Sequence, residues 1–79
     1  MRIPRNVYGR DLADHLCKQW EYRESHQTGS HIILDSETPS HHRIPIPAYK
    51  PIRVGTLSAI LQAIARHKNV TRDDILRGL

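Results

Sequence analysis

The spacing of the apolar residues changes twice along this 79-residue chain, and no other feature limits its fold as much. Leu12, Leu16 and Trp20 recur at i, i+4 and i+8, with Ala13 and Cys17 beside them, which is the stripe of a helix over residues 10–20. Gly9 can cap that helix, and Asp11 sits in its first turn, where the helix dipole favours an acid. From Glu21 the period falls to two. Residues 21–26 read as a first strand, 31–35 (His-Ile-Ile-Leu-Asp) as a second and 41–46 as a third. Between the first two, Gln27-Thr28-Gly29-Ser30 has the length and the glycine of a hairpin loop, and residues 36–40 make a second turn. Pro45 and Pro47 cannot donate to a ladder, so the third strand belongs at a sheet edge. The helical period returns over 56–67, where Leu57, Ile60, Leu61 and Ile64 form the stripe, Thr56 can cap it, and Arg66, His67 and Lys68 close it. Thr71, followed by Asp73 and Asp74, starts a last short helix.

The order α-β-β-β-α predicts an α+β fold: a three-stranded antiparallel sheet with helices on one face and a short extra C-terminal helix. Residues 9–79 form the single domain and residues 1–8 a short N-terminal arm. The core should place Ile32, Leu34, Ile44 and Ile46 against Leu12, Leu16, Leu57, Ile60, Leu61 and Ile64. The other sheet face is left open. Double-stranded-RNA-binding modules use this arrangement, as do unrelated proteins.

No run approaches the roughly 18 apolar residues that span a bilayer, and residues 1–5 lack the apolar segment of a signal peptide. Cys17 is the only cysteine, so no internal disulfide forms, which fits a reducing compartment and a cytoplasmic location. On the helical stripe Cys17 reads as core. The net charge of +4 is unevenly placed. Residues 1–40 carry five Lys/Arg against six Asp/Glu, residues 41–79 seven against two, and no acid occurs between His41 and Arg72. A basic half suits a polyanionic partner such as RNA; a basic solvated surface accounts for it equally well.

Six histidines compete for three explanations. As metal ligands they fail on spacing: His41 and His42 are adjacent, so in a strand they point to opposite faces, and Cys17 has no partner cysteine. No metal and no cofactor is expected. As polar residues on strands and helix ends, His15, His41, His42 and His67 need no further role. His26 and His31 differ because they flank the loop at 27–30. In a hairpin of that length they would stand opposite one another with Cβ atoms about 5 Å apart. Imidazole is the side chain that exchanges a proton most easily near neutral pH, so two of them could serve as base and acid on one phosphodiester. Gly29 and Ser30 would add backbone N–H groups and a hydroxyl for a phosphate. Two polar loop residues without catalytic duty account for the same pattern.

Four blocks, in this order, carry a resemblance: Leu12 to Trp20, Thr28-Gly29-Ser30-His31, Arg43-Ile44-Pro45-Ile46-Pro47, and Val54-Gly55-Thr56-Leu57-Ser58-Ala59-Ile60-Leu61. Over residues 9–79 the chain resembles the HicA (YcfA-like) family of mRNA interferase toxins. The resemblance implies a double-stranded-RNA-binding-like fold, metal-independent cleavage of mRNA that halts translation, and a HicB-type antitoxin that binds the toxin and covers its active site. It implies that His31, after Gly29 and Ser30, is the catalytic histidine. Family members often carry Arg or Lys at the place of His26, and many carry a second histidine where this chain has Pro47 or Tyr49. The expected function is therefore an endoribonuclease toxin. His31, with His26 beside it, would act on the substrate, Gly29 and Ser30 would hold the phosphate, and Arg43, Lys50, Arg53, Arg66 and Lys68 would attract the RNA backbone. A non-catalytic RNA-binding module of the same fold is the second reading, and a basic partner for an acidic protein the third.

Overall fold

The computed structural model describes residues 3–48 and 51–79, so Lys50 lies outside the described residues. Its elements are α1 (Gly9–Gln19), β1 (Arg23–Thr28), β2 (His31–Ser36), β3 (His42–Pro47), α2 (Val54–Lys68) and α3 (Arg72–Leu76). The strands make one antiparallel sheet in the order β1-β2-β3, which is the α+β layout the periodicity predicts. Alternation divides its faces. Ile32, Leu34, Ile44 and Ile46 are buried in one core with Leu12, Leu16, Leu57, Ile60, Leu61 and Ile64. Each such side chain contributes about 1.5–3 kcal/mol on leaving water. The opposite face carries His31, Ile33, Asp35, Arg43 and Pro45, exposed or half-buried, with no helix over it among the described residues. Among the described residues no helix is long and apolar enough to cross a membrane.

Several boundaries differ from the sequence reading for local reasons. Tyr8 rather than Gly9 is the N-cap of α1. Gly9 lies inside the helix, where a Cβ would overlap the carbonyl of Pro47, so α1 starts hard against the end of β3. The second helix begins at Val54, with extended Arg53 as its N-cap and no side-chain cap, so Thr56 is in the first turn. It ends on Asn69, which takes the left-handed conformation (φ 59°) that asparagine tolerates. Thr71 does cap α3: its hydroxyl accepts from the Asp74 N–H at 3.1 Å, and the Asp74 carboxylate accepts from the Thr71 N–H at 3.0 Å.

Two further differences bear on the site. The end of the arm is built into the fold. Val7 is buried, its carbonyl accepts from the Ile52 N–H at 2.8 Å, and Tyr8 bridges to Pro51. His15 is not a solvated helix residue but a buried one: its Nε2 lies 2.7 Å from the Ile75 carbonyl oxygen and ties α3 to α1. On β3, the Ala48 N–H donates to the Ser30 carbonyl at 2.7 Å. By strand alternation the nitrogens of Pro45 and Pro47 then face the outer edge, where a missing donor costs no ladder bond.

Candidate active site

The site starts from the length of one turn. Thr28 pairs with His31, so the hairpin loop is Gly29-Ser30 alone and not residues 27–30. Gly29 sits at φ +50°, the left-handed value that the first central position of a two-residue hairpin turn demands. This register corrects the placement of His26. It stands across from Ile33, not across from His31. The two imidazoles still share the open face, because both lie in register with outward residues of β2. They are diagonal neighbours, for which sheet geometry gives a separation of about 7–8 Å.

Each imidazole has a serine just before it. Ser30 Oγ lies 3.2 Å from His31 Nδ1, and Ser25 Oγ lies 2.9 Å from His26 Nδ1. A hydroxyl donates or accepts as needed, so either ring can present Nε2 as a proton donor or as a lone pair. His31 is exposed, and its strand partner on the other side is Pro47. A cleft of about 330 Å³ opens there, lined by Ser30, His31, Pro47, Ala48, Pro51, Ile52, Arg53 and Thr56. Three local facts bear on its lining: the Val7–Ile52 bond holds Ile52, Gly9 lets α1 approach Pro47, and the start of α2 supplies Arg53 and Thr56.

The cations that the sequence grouped as one RNA-attracting set are divided. Arg53 is exposed beside His31, and among the described residues no ion pair engages it. Arg66 is exposed at the far end of α2, 13 residues further on, which is about 20 Å along a helix. Arg43 is held by Asp35: its Nε and Nη donate to the two carboxylate oxygens at 2.7 and 2.9 Å. This pair holds the Asp35 carboxyl below the usual range.

Lys68 belongs to a different cluster, at the other end of the sheet. Its ammonium donates to Ser36 Oγ at 2.7 Å, to the Thr38 carbonyl at 2.7 Å and to Thr38 Oγ1 at 3.1 Å. It also stands 4.8 Å over the ring of Tyr22. All three of its donors are thus engaged by Ser36 and Thr38, at the end of β2 and just after it. Beside it the rings of His42 and His67 stack at 4.5 Å. The Tyr22 hydroxyl lies 2.8 Å from His42 Nδ1, and His67 Nε2 lies 3.1 Å from the Thr38 carbonyl. Burial pushes the Tyr22 hydroxyl up to about 12. Burial, with His67, Lys68 and His41 nearby, pushes the His42 imidazole below its usual value. His42 and His67 are therefore half-buried packing groups, whereas His41 is exposed and lies 2.9 Å from Glu37. Cys17 is half-buried against the core, and burial pushes its thiol up, away from reactivity.

Among the described residues no group of three or more His, Cys, Asp or Glu is placed to hold a metal ion. The apolar walls of the cleft had no periodic signal in the sequence; only the closeness of Pro47 and Pro51 marked that stretch as extended. No known family, no curated protein and no solved structure matches this chain.

Proposed function

We propose that this protein is an endoribonuclease that cleaves mRNA without a metal ion and so inhibits translation, as the cytoplasmic toxin of a pair whose partner is a HicB-type antitoxin. One observation carries the reading: the exposed His31 imidazole, backed by Ser30, lines a cleft that the exposed Arg53 also lines. RNA brings its own nucleophile. A base takes the proton of the 2′-OH, the oxygen attacks phosphorus, and an acid protonates the departing 5′ oxygen, leaving a cyclic phosphate and a free hydroxyl. His31 supplies the base or the acid, and Arg53 offsets the charge that develops on phosphorus. The diagonal placement of His26, at about 7–8 Å, leaves room for a phosphate between the two rings.

The test is cleavage of a defined transcript by purified protein in EDTA. Wild-type protein cleaves and His31→Ala protein does not, although it folds and binds RNA. Equal cleavage by the two removes His31 from the chemistry, and a strict metal requirement removes the mechanism. The open sheet face supports a second reading, a non-catalytic RNA-binding module, for which His31→Ala changes little and no transcript is cut.

A further inference from the structure

We propose that the cleft beside His31 seats one unpaired nucleobase, that of the nucleotide next to the cleaved phosphodiester, so that the protein selects single-stranded RNA and discriminates between bases. The word cleaved rests on the reading of His31 given above; the seating of a base does not.

Size is the first argument. At about 330 Å³ the cleft is at the small end of ligand sites, which run from about 300 to 1,000 Å³. It has room for one nucleotide and not for a stretch of oligomer. Chemistry is the second. Pro47, Ala48, Pro51 and Ile52 give it a mostly apolar lining, to which Ser30, His31, Arg53 and Thr56 add polar groups. A nucleobase has the same division, apolar faces and a hydrogen-bonding edge. The Thr56 hydroxyl can donate to or accept from that edge, and Arg53 meets the attached phosphate.

Access is the third. The cleft is a recess that runs from His31 and Pro47, at the hairpin end of the sheet, to the start of α2. A base stacked in a duplex reaches such a recess only by swinging out, at a cost of a few kcal/mol that an unpaired base avoids. Charge agrees. Reading a duplex by shape needs cations spaced along two grooves. Here Arg43 is held by Asp35 and Lys68 by Ser36 and Thr38, while among the described residues no ion pair engages Arg53 at the cleft.

The test uses the full chain and a 2′-O-methyl RNA hexamer, which cannot be cut because its nucleophile is blocked. Methyl resonances of Ala48 and Ile52 are followed against the single-stranded hexamer, the same hexamer in a duplex, and a free nucleoside 5′-monophosphate. The expected result is that the single strand shifts both methyls and binds about tenfold or more tighter than the duplex. Hexamers differing at one base should differ in affinity by about tenfold, the worth of one base-edge hydrogen bond. Thr56→Trp, a change at an exposed helix position that fills the mouth, should weaken binding about tenfold with the melting temperature unchanged.

Shifts confined to Ile33 on the open face overturn the proposal, as does equal affinity for duplex and single strand. A monophosphate that binds as tightly as the hexamer overturns it in favour of a free-nucleotide site. The nuclease reading fails separately: methyl shifts without cleavage leave the base seat standing and remove the nuclease. Cleavage that Thr56→Trp leaves intact, with no preference between bases, removes the seat and leaves the nuclease.

Discussion

The two ends of the sheet use the same residue types in opposite ways. At the hairpin end, His31 and His26 are exposed, each with one hydroxyl neighbour, and Arg53 has no carboxylate partner among the described residues. At the far end, His42 and His67 stack on one another, Tyr22 caps the first, and Lys68 places all three donors on the Ser36–Thr38 turn. Polar groups saturated within the fold stabilise it and have nothing left for a ligand. Polar groups left at a rim add little to stability and remain free to act. Composition alone cannot distinguish these uses. Geometry does, and a substitution that moves a residue from one use to the other should show it.

The largest effect is expected at His31. Removing a general acid or base costs about 10²- to 10⁴-fold in rate, so His31→Ala should reduce transcript cleavage by that factor while its melting temperature stays near wild type. His26→Ala should cost less, and the ratio of the two rates measures how far the diagonal pair acts together. A His26→Ala rate equal to wild type would leave His31 working with Arg53 or water alone.

Lys68→Met should do the reverse. It leaves the Thr38 carbonyl and Ser36 Oγ without their charged donor, a loss of about 1–3 kcal/mol. Denaturant titration should show that loss while the cleavage rate, corrected for the folded fraction, is unchanged. A Lys68→Met protein that is stable but weak on RNA would return Lys68 to the phosphate-contact set.

The contrast also shows which parts of the fold were legible in the sequence. Burial of Ile32, Leu34, Ile44 and Ile46 against two helical stripes followed from period alone, because a residue's face depends on spacing and not on what surrounds it. The Thr71 cap followed from local hydrogen bonding. The pairing of His26 did not. Gln27 and Thr28 are polar enough for either loop or strand, and two residues of loop length decide which side chains stand opposite one another. The stack of His42 on His67 and the bond from His15 to Ile75 join residues 25 and 60 positions apart, so they depend on how helices dock. The cleft was invisible for the same reason: its walls come from the end of β3, the Pro51–Ile52 stretch and the first turn of α2.

Stability should depend on pH through His42 and Tyr22 at the far end, and at lower pH through Asp35 and Asp74. His42 is held below the ordinary imidazole value of 6.5, so the folded protein resists a proton that the unfolded chain accepts. Stability should therefore fall as pH drops below 6.5, until the depressed folded value is passed. The lowered carboxyls of Asp35 and Asp74 act further down, below the ordinary 3.8. Tyr22 gives the opposite limb: the unfolded phenol ionises near 10 and the folded one at about 12, so stability should fall as pH rises through that interval. Calorimetry of wild-type, His42→Gln and Tyr22→Phe protein checks both limbs. The acid slope should flatten in the first variant and the alkaline one in the second, and limbs that survive both changes assign them to other groups.

The smallest effect expected is the most specific test of the divided cations. On single-stranded RNA each phosphate contact adds about 0.7 to the slope of log affinity against log salt, through release of a condensed counterion. A cation contributes only if it reaches a phosphate with its charge uncompensated. Arg53 meets that condition at the cleft, so Arg53→Ala should lower the slope by about 0.7. Arg43 is already neutralised by Asp35 at 2.7 and 2.9 Å, and exchanging that carboxylate for a phosphate returns one anion to solvent for the one it captures. Arg43→Ala should therefore change the slope much less than Arg53→Ala does. The single variant Asp35→Asn, with Arg43 retained, sharpens the point. It frees the guanidinium without adding a cation, and the slope should rise towards one further contact. A slope that falls equally for Arg43→Ala and Arg53→Ala would mean that the open sheet face, and not the cleft, meets the RNA backbone.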